Sequence, residues 1–267
     1  MGRRQFLTMG GGAAVATGLS LGGQFQPAAA AVDPTPSSLL SGTDLTDWET
    51  VLGDGLYTAP GQAPVNAADI ATIHSGSLST LRANVARRGV MAHNITFKRQ
   101  IDASCFDTVH VVQYAFRLPY MPATNAWPDN AQTAEGGFFV WDGPSTRLDY
   151  GLAFQWILNP WMPTFGAIRT WTGSRWTSTG FLPVDTNWHT LTMTFDPRHS
   201  SAAMAIDSTP IPAALTTTPK DGWGTEVAAR LQAEMISLWP GSRQTAPSHR
   251  LEVRDWTWAR YPYLAEI

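Results

Sequence analysis

The sequence predicts an all-β, antiparallel sandwich. Three observations carry that expectation: apolar residues recur at every second position in several segments, Pro/Gly turn signals interrupt the chain at short intervals, and no internal repeat or α/β alternation competes. Between Asp107 and Pro119, the residues His110, Val112, Tyr114, Phe116 and Leu118 share one face, and Val109, Val111, Gln113, Ala115 and Arg117 share the other. Tyr150, Leu152, Phe154, Trp156 and Leu158 likewise oppose Gly151, Ala153, Gln155 and Ile157. Leu191, Met193 and Phe195 oppose Thr190, Thr192 and Thr194, while Leu251, Val253 and Asp255 oppose Glu252, Arg254, Trp256 and Trp258. Asp142-Gly143-Pro144, Asn159-Pro160, Thr172-Gly173-Ser174, Asp196-Pro197 and Pro240-Gly241 supply the turns. At most one short helix is expected, over Thr225–Gln232, running into a strand near Glu234–Trp239.

Composition agrees with a packed domain. Of 267 residues, 43% are hydrophobic and 15% charged, enough apolar material for a large core. The formal net charge of −3 provides no basic footprint for nucleic acid. No run approaches the roughly 18 apolar residues of a membrane span. Cys105 is the chain's single cysteine, so no intramolecular disulfide can staple the fold, and in Ala103-Ser104-Cys105-Phe106 it reads as a small buried apolar residue.

Residues 1–31 are expected to be a cleavable export signal. Arg3-Arg4-Gln5-Phe6-Leu7 precedes a weakly apolar Gly/Ala/Val/Leu stretch that ends in Ala28-Ala29-Ala30-Ala31, a pattern of the twin-arginine type. The expectation is a bacterial protein that is secreted, periplasmic or cell-wall associated, with the twin-arginine translocase as its partner during export. Removal of residues 1–31, and Arg3 and Arg4 with them, leaves about 236 residues with a net charge of about −5. Residues 32–40 read as a Pro/Ser linker and 41–267 as the sandwich domain.

Beyond periodicity, the order of segments is informative. Thr186-Asn187-Trp188-His189-Thr190-Leu191-Thr192-Met193-Thr194-Phe195-Asp196 leads to Ala203-Met204-Ala205-Ile206-Asp207, and the domain closes on Leu251-Glu252-Val253-Arg254-Asp255-Trp256-Thr257-Trp258-Ala259. This resembles the concanavalin A-like lectin/glucanase superfamily, including its laminin-G-like members. Leu45-Thr46-Asp47-Trp48-Glu49 resembles the first strand of such domains. The resemblance covers most of Ser41–Tyr261 and implies a jelly roll of two curved sheets, one of them concave and often holding a glycan. The Glu-x-Asp-x-x-Glu strand of the superfamily's retaining glucanases does not occur here.

For an exported sandwich of this kind, the leading expectation is recognition of an extracellular or cell-wall oligo- or polysaccharide. An aromatic ring can cover the apolar face of a pyranose while amides and guanidinium groups fork onto its hydroxyls. Gln113, Arg117, Trp141, Gln155, Arg169 and Trp171 are the candidate substrate-binding residues, and Arg169 and Trp171 fall on the same pleat. Trp161, Trp176 and Arg175 lie close to them in sequence. The alternative is a polysaccharide lyase or glycoside hydrolase on the same scaffold. Glycoside hydrolysis needs two carboxyl groups astride the cleaved bond. Glu135 and Asp142 are the candidates, although alternation places them on opposite pleats; Tyr150 is the candidate base of a lyase. A third expectation is a non-catalytic structural or adhesion domain. No cofactor is expected apart from a structural calcium, with Asp142, Asp149 and Asn159 as candidate ligands. The six histidines show no metal-ligand spacing, and His110, alternating with apolar residues, reads as a satisfied core histidine.

Overall fold

A computed structural model describes residues 32–52, 70–83, 93–97, 106–122, 133–142, 150–158, 162–172, 174–214, 216–217, 227–236 and 249–264. Two antiparallel sheets pack face to face. The first runs in the order β13 (Thr209–Ile211), β12 (Ser201–Ile206), β11 (His189–Asp196), β6 (Thr108–Arg117), β16 (His249–Pro262), β4 (Ser79–Ala83) and β3 (Ile70–His74). β1 (Ser38–Gly42) pairs with Trp256–Arg260 of β16, continuing the edge that β4 covers at His249–Val253. The second sheet runs in the order β10 (Trp176–Phe181), β9 (Ala167–Trp171), β8 (Tyr150–Ile157), β7 (Thr133–Asp142), β15 (Val227–Ile236), β5 (His93–Phe97) and β2 (Glu49–Leu52), with β14 (Thr216–Thr217) beside β8. No α-helix occurs among the described residues.

The core is an aromatic seam between the sheets. Phe116 of the first sheet meets Phe154 and Trp156 of the second at ring-centroid distances of 5.6 and 6.1 Å; Phe138 of the second meets Trp258 and Phe195 of the first at 5.1 and 6.0 Å. The alternating sets read from the sequence supply Phe116, Phe154, Trp156 and Phe195, because a pleated strand sends every second side chain to the same layer. Gly136 leaves the space that Tyr114 and Phe154 fill: a Cβ there would press on Tyr114 Oη and sit 2.5 Å from Phe154 Cε1. His110 is fully buried and satisfied. It stacks on Phe195 at 4.3 Å, and its Nδ1 accepts from Trp258 Nε1 at 3.1 Å.

The local reading needs correction at four places. Thr225–Gln232 was the expected helix; its described part, from Val227, belongs to the ten-residue strand β15, whose Ala229, Leu231 and Ala233 point into the core. Pairing with β7 and β5 on its two edges overrides the helical propensity of its alanines. The simple alternation of Leu251–Trp258 also fails. A β-bulge shifts the register between Arg254 and Thr257, and Asp255 adopts φ 52°. The extra residue returns Trp256 and Trp258 to the core side already occupied by Leu251 and Val253. Leu45–Trp48 is not a strand but a turn closed by the Trp48 N–H donating to Leu45 O at 3.0 Å, and it buries Leu45 and Trp48. The first strand is Ser38–Gly42, so the end of the segment read as a linker is paired structure.

Side-chain clasps fix the ends of the first sheet. His189, opening β11, lies with Nδ1 2.6 Å from Asp207 Oδ2 and Nε2 3.0 Å from Asp185 Oδ1. Burial would raise the Asp185 carboxyl, but bonds from Asn187 N and Nδ2 and from His189 outweigh it and hold it below the usual carboxylate range. At the opposite end, buried Asp196 accepts from Tyr263 Oη and from the His199 N–H.

Candidate functional site

The outward face of the second sheet brings polar residues from separate strands into one row. Glu135 of β7 is the register partner of Gln155 on β8; Gln155 pairs with Arg169 on β9, and Arg169 with Ser178 on β10. Directly opposed residues in antiparallel strands project to the same side. The row therefore reads carboxyl, amide, guanidinium, hydroxyl. On the other edge of β7, the Cα partner of Glu135 is Glu234.

The carboxyl end of the row is sealed. Glu135 is 3% exposed and Gln155 is 4% exposed, and Gln155 Nε2 donates to Glu135 Oε1 in a short bond. Burial pushes the Glu135 carboxyl up to about 8, against the opposing pull of that hydrogen bond. Glu135 is thus a carboxylic acid, not a carboxylate, at neutral pH. The guanidinium end is open. Arg169 is half-buried, and no carboxylate pairs with it among the described residues.

Beside this row stands an aromatic wall. Trp171, two residues beyond Arg169 on β9, is the register partner of Trp176 on β10, and their rings meet at 5.4 Å and 57°. Both are half-buried and pack against Phe139 and Ala153 on the same face. Gly137 and Ala153, register partners of each other, stand between Phe139 and the polar row, and both are buried. The tight β9–β10 connection, closed by Thr172 N and Oγ1 donating to Arg175 O, sets the two indoles side by side.

The predicted residues do not converge on one surface. Gln155, Arg169 and Trp171 are together, with Glu135 beside Gln155 at the buried end of the same row. Gln113 and Arg117 lie on the outer face of the first sheet, across the full thickness of the sandwich. Arg117 Nε there donates to Glu252 Oε2 at 2.6 Å. Trp141 and Asp142 end β7 and Tyr150 opens β8; their side chains, and the whole of Asp149, Asn159, Trp161 and Cys105, lie outside the described residues. Among the described residues, no group of three or more His, Cys, Asp or Glu is placed to hold a metal ion. The Glu135–Gln155 contact and the floor at Phe139 and Ala153 were not foreseen. They depend on the β7–β8 register, for which the sequence holds no local signal.

No family model matches the chain, and no curated protein matches it. Solved structures match it only at low identity and with TM-scores below 0.5. An alginate lyase mutant in complex with alginate tetrasaccharide matches at 9% identity and TM-score 0.47, over 86% of this chain and 100% of that one. A protein of unknown function with a galectin-like fold from Bacillus subtilis matches at 11% identity and TM-score 0.46, over 82% and 92%. A sialidase matches at 12% identity and TM-score 0.46 over 80% of this chain, which spans only 17% of that protein. Likenesses at this level assign neither family nor activity.

Proposed function

We propose that this protein binds a carbohydrate chain on the outer face of the second sheet. The observation that carries the reading is a half-buried guanidinium, Arg169, without a carboxylate partner among the described residues, set between the Gln155–Glu135 pair and the Trp171–Trp176 wall. An indole covers the C–H face of a sugar ring, and the neighbouring guanidinium and amide supply fixed donors for its hydroxyls. The resemblance of the sequence to lectin-like sandwiches and the twin-arginine-type pattern in residues 1–31 support a protein that meets its glycan outside the cytoplasm. Pull-down on a panel of insoluble polysaccharides tests this. Retention without release of product is expected, reduced about tenfold in Trp171→Ala and Arg169→Gln, since each removes one stacking or charge-assisted contact. Undiminished retention in both variants would overturn the assignment of this face.

A second reading, a glycan-cleaving enzyme, is favoured by one observation: the Glu135 carboxyl is kept protonated near neutrality, as a general acid requires. Against it stands the burial of that group and of Gln155 beside it. Release of reducing ends or of unsaturated product that disappears in Glu135→Gln would establish the enzyme over the binding module.

A further inference from the structure

We propose that the outer face of the first sheet is a second, separate binding surface: an arginine stripe that holds a linear acidic polysaccharide. β16 carries Arg250, Glu252 and Arg254 on this face, and its neighbours add Arg82 from β4 and Arg117 from β6. The levels are regular. Arg250 is the Cα partner of Arg82, Glu252 that of Arg117, and Arg254 follows two residues later. At about 3.4 Å of rise per residue, guanidinium groups stand at three levels roughly 7 Å apart along a line of about 14 Å.

The balance of charge on this stripe is positive. The carboxylates that β3, β4, β6 and β16 bring to it are Glu252 and Asp255, against four guanidinium groups, in a chain whose net charge is −3. Arg117 spends its Nε on Glu252, and Arg254 Nε lies 3.2 Å from Asp255 Oδ2 without hydrogen-bond geometry. Trp188 fixes both: its ring centroid is 4.7 Å from Arg117 Cζ and 4.1 Å from Arg254 Cζ. That stacking costs the guanidinium edges none of their donors. Arg82 and Arg250 are both exposed, and neither has a carboxylate partner among the described residues. Like charges directly opposed across a pair of strands destabilise the sheet. A carboxylate seated between them replaces that repulsion with two charge-assisted bonds.

The shape of the stripe selects the ligand. It spans three adjacent strands, roughly 10 Å, so a single polymer chain laid along the central strand β16 reaches every arginine. A membrane or a nucleic-acid duplex would spread its charge over the whole acidic molecule and be repelled. Trp188, engaged by two guanidinium groups, offers no free platform for stacked bases. A polyuronate, with a carboxylate on every sugar, supplies charge at each level.

The test uses the full chain and labelled polygalacturonate at low salt. Expected are binding that weakens as salt is raised, no binding of neutral dextran, and a loss of about tenfold in the double variant Arg82→Gln/Arg250→Gln. Both side chains are exposed, so the variant folds as the parent does. Arg169→Gln, on the opposite face, is expected to leave this binding unchanged, which separates the stripe from the carbohydrate site proposed above. Wild-type affinity in the double variant, loss confined to Arg169→Gln, or equal Arg82/Arg250-dependent capture of phosphatidylglycerol vesicles or single-stranded DNA would each overturn the proposal.

Discussion

Replacing Glu135 by Gln tests the electrostatics of the polar row directly. Glu135 binds its proton far more tightly in the folded protein than in the unfolded chain, because the folded site strips the carboxylate of water. Below the unfolded value, near 4.5, both states are protonated and the stabilisation is fully present; it declines as pH rises and is gone above about 8. At about 1.4 kcal/mol per pH unit, the wild-type protein should lose roughly 3 kcal/mol of stability from this group between about pH 5 and pH 8. An amide at position 135 keeps an oxygen to accept from Gln155 Nε2 but cannot ionise. Glu135→Gln should therefore flatten that part of the profile, so that the difference in unfolding free energy shifts in favour of the variant as pH rises. Urea unfolding followed by tryptophan fluorescence at a series of pH values measures it. Parallel pH profiles for the two proteins would refute the claim that Glu135 is buried as the neutral acid.

Two further substitutions probe the fold that presents this face. Gly136→Ala should cost about 1–3 kcal/mol by overpacking against Tyr114 Oη and Phe154 Cε1, read as a fall in the unfolding midpoint; an unchanged midpoint would mean that the seam has room. The β12–β13 hairpin turns on Asp207 and Ser208, with φ 49° and 64°. Ser208→Gly relieves the second left-handed residue and should stabilise by roughly 0.5–1 kcal/mol, provided that Asp207 keeps its bonds to His189 Nδ1 and the Thr190 N–H.

Much of the scaffold is legible in the chain because the pleat is a local property. The alternation in Thr108–Arg117, Tyr150–Ile157 and His189–Asp196 names the core-facing residues without reference to any partner strand. His110 could be placed in the core for the same reason, and Arg169 and Trp171 on one side of β9. The bulge at Asp255 is invisible to that logic. It exists because β16 must serve β6 on one edge and both β4 and β1 on the other, while keeping two tryptophans inside.

The candidate site divides in the same way. Alternation along each strand is enough to name the residues that face outward: Gln113 and Arg117 on one, Gln155 on another, Arg169 and Trp171 on a third. Which of them meet depends on how the strands pair in the folded molecule. The register of β7, β8 and β9 brings Gln155 beside Glu135 and Arg169 beside Gln155, whereas Gln113 and Arg117 are carried to the opposite side of the sandwich. The physical reason is that side-chain direction follows from each strand's own backbone, while neighbours across a sheet are chosen by hydrogen bonds between segments far apart in the chain.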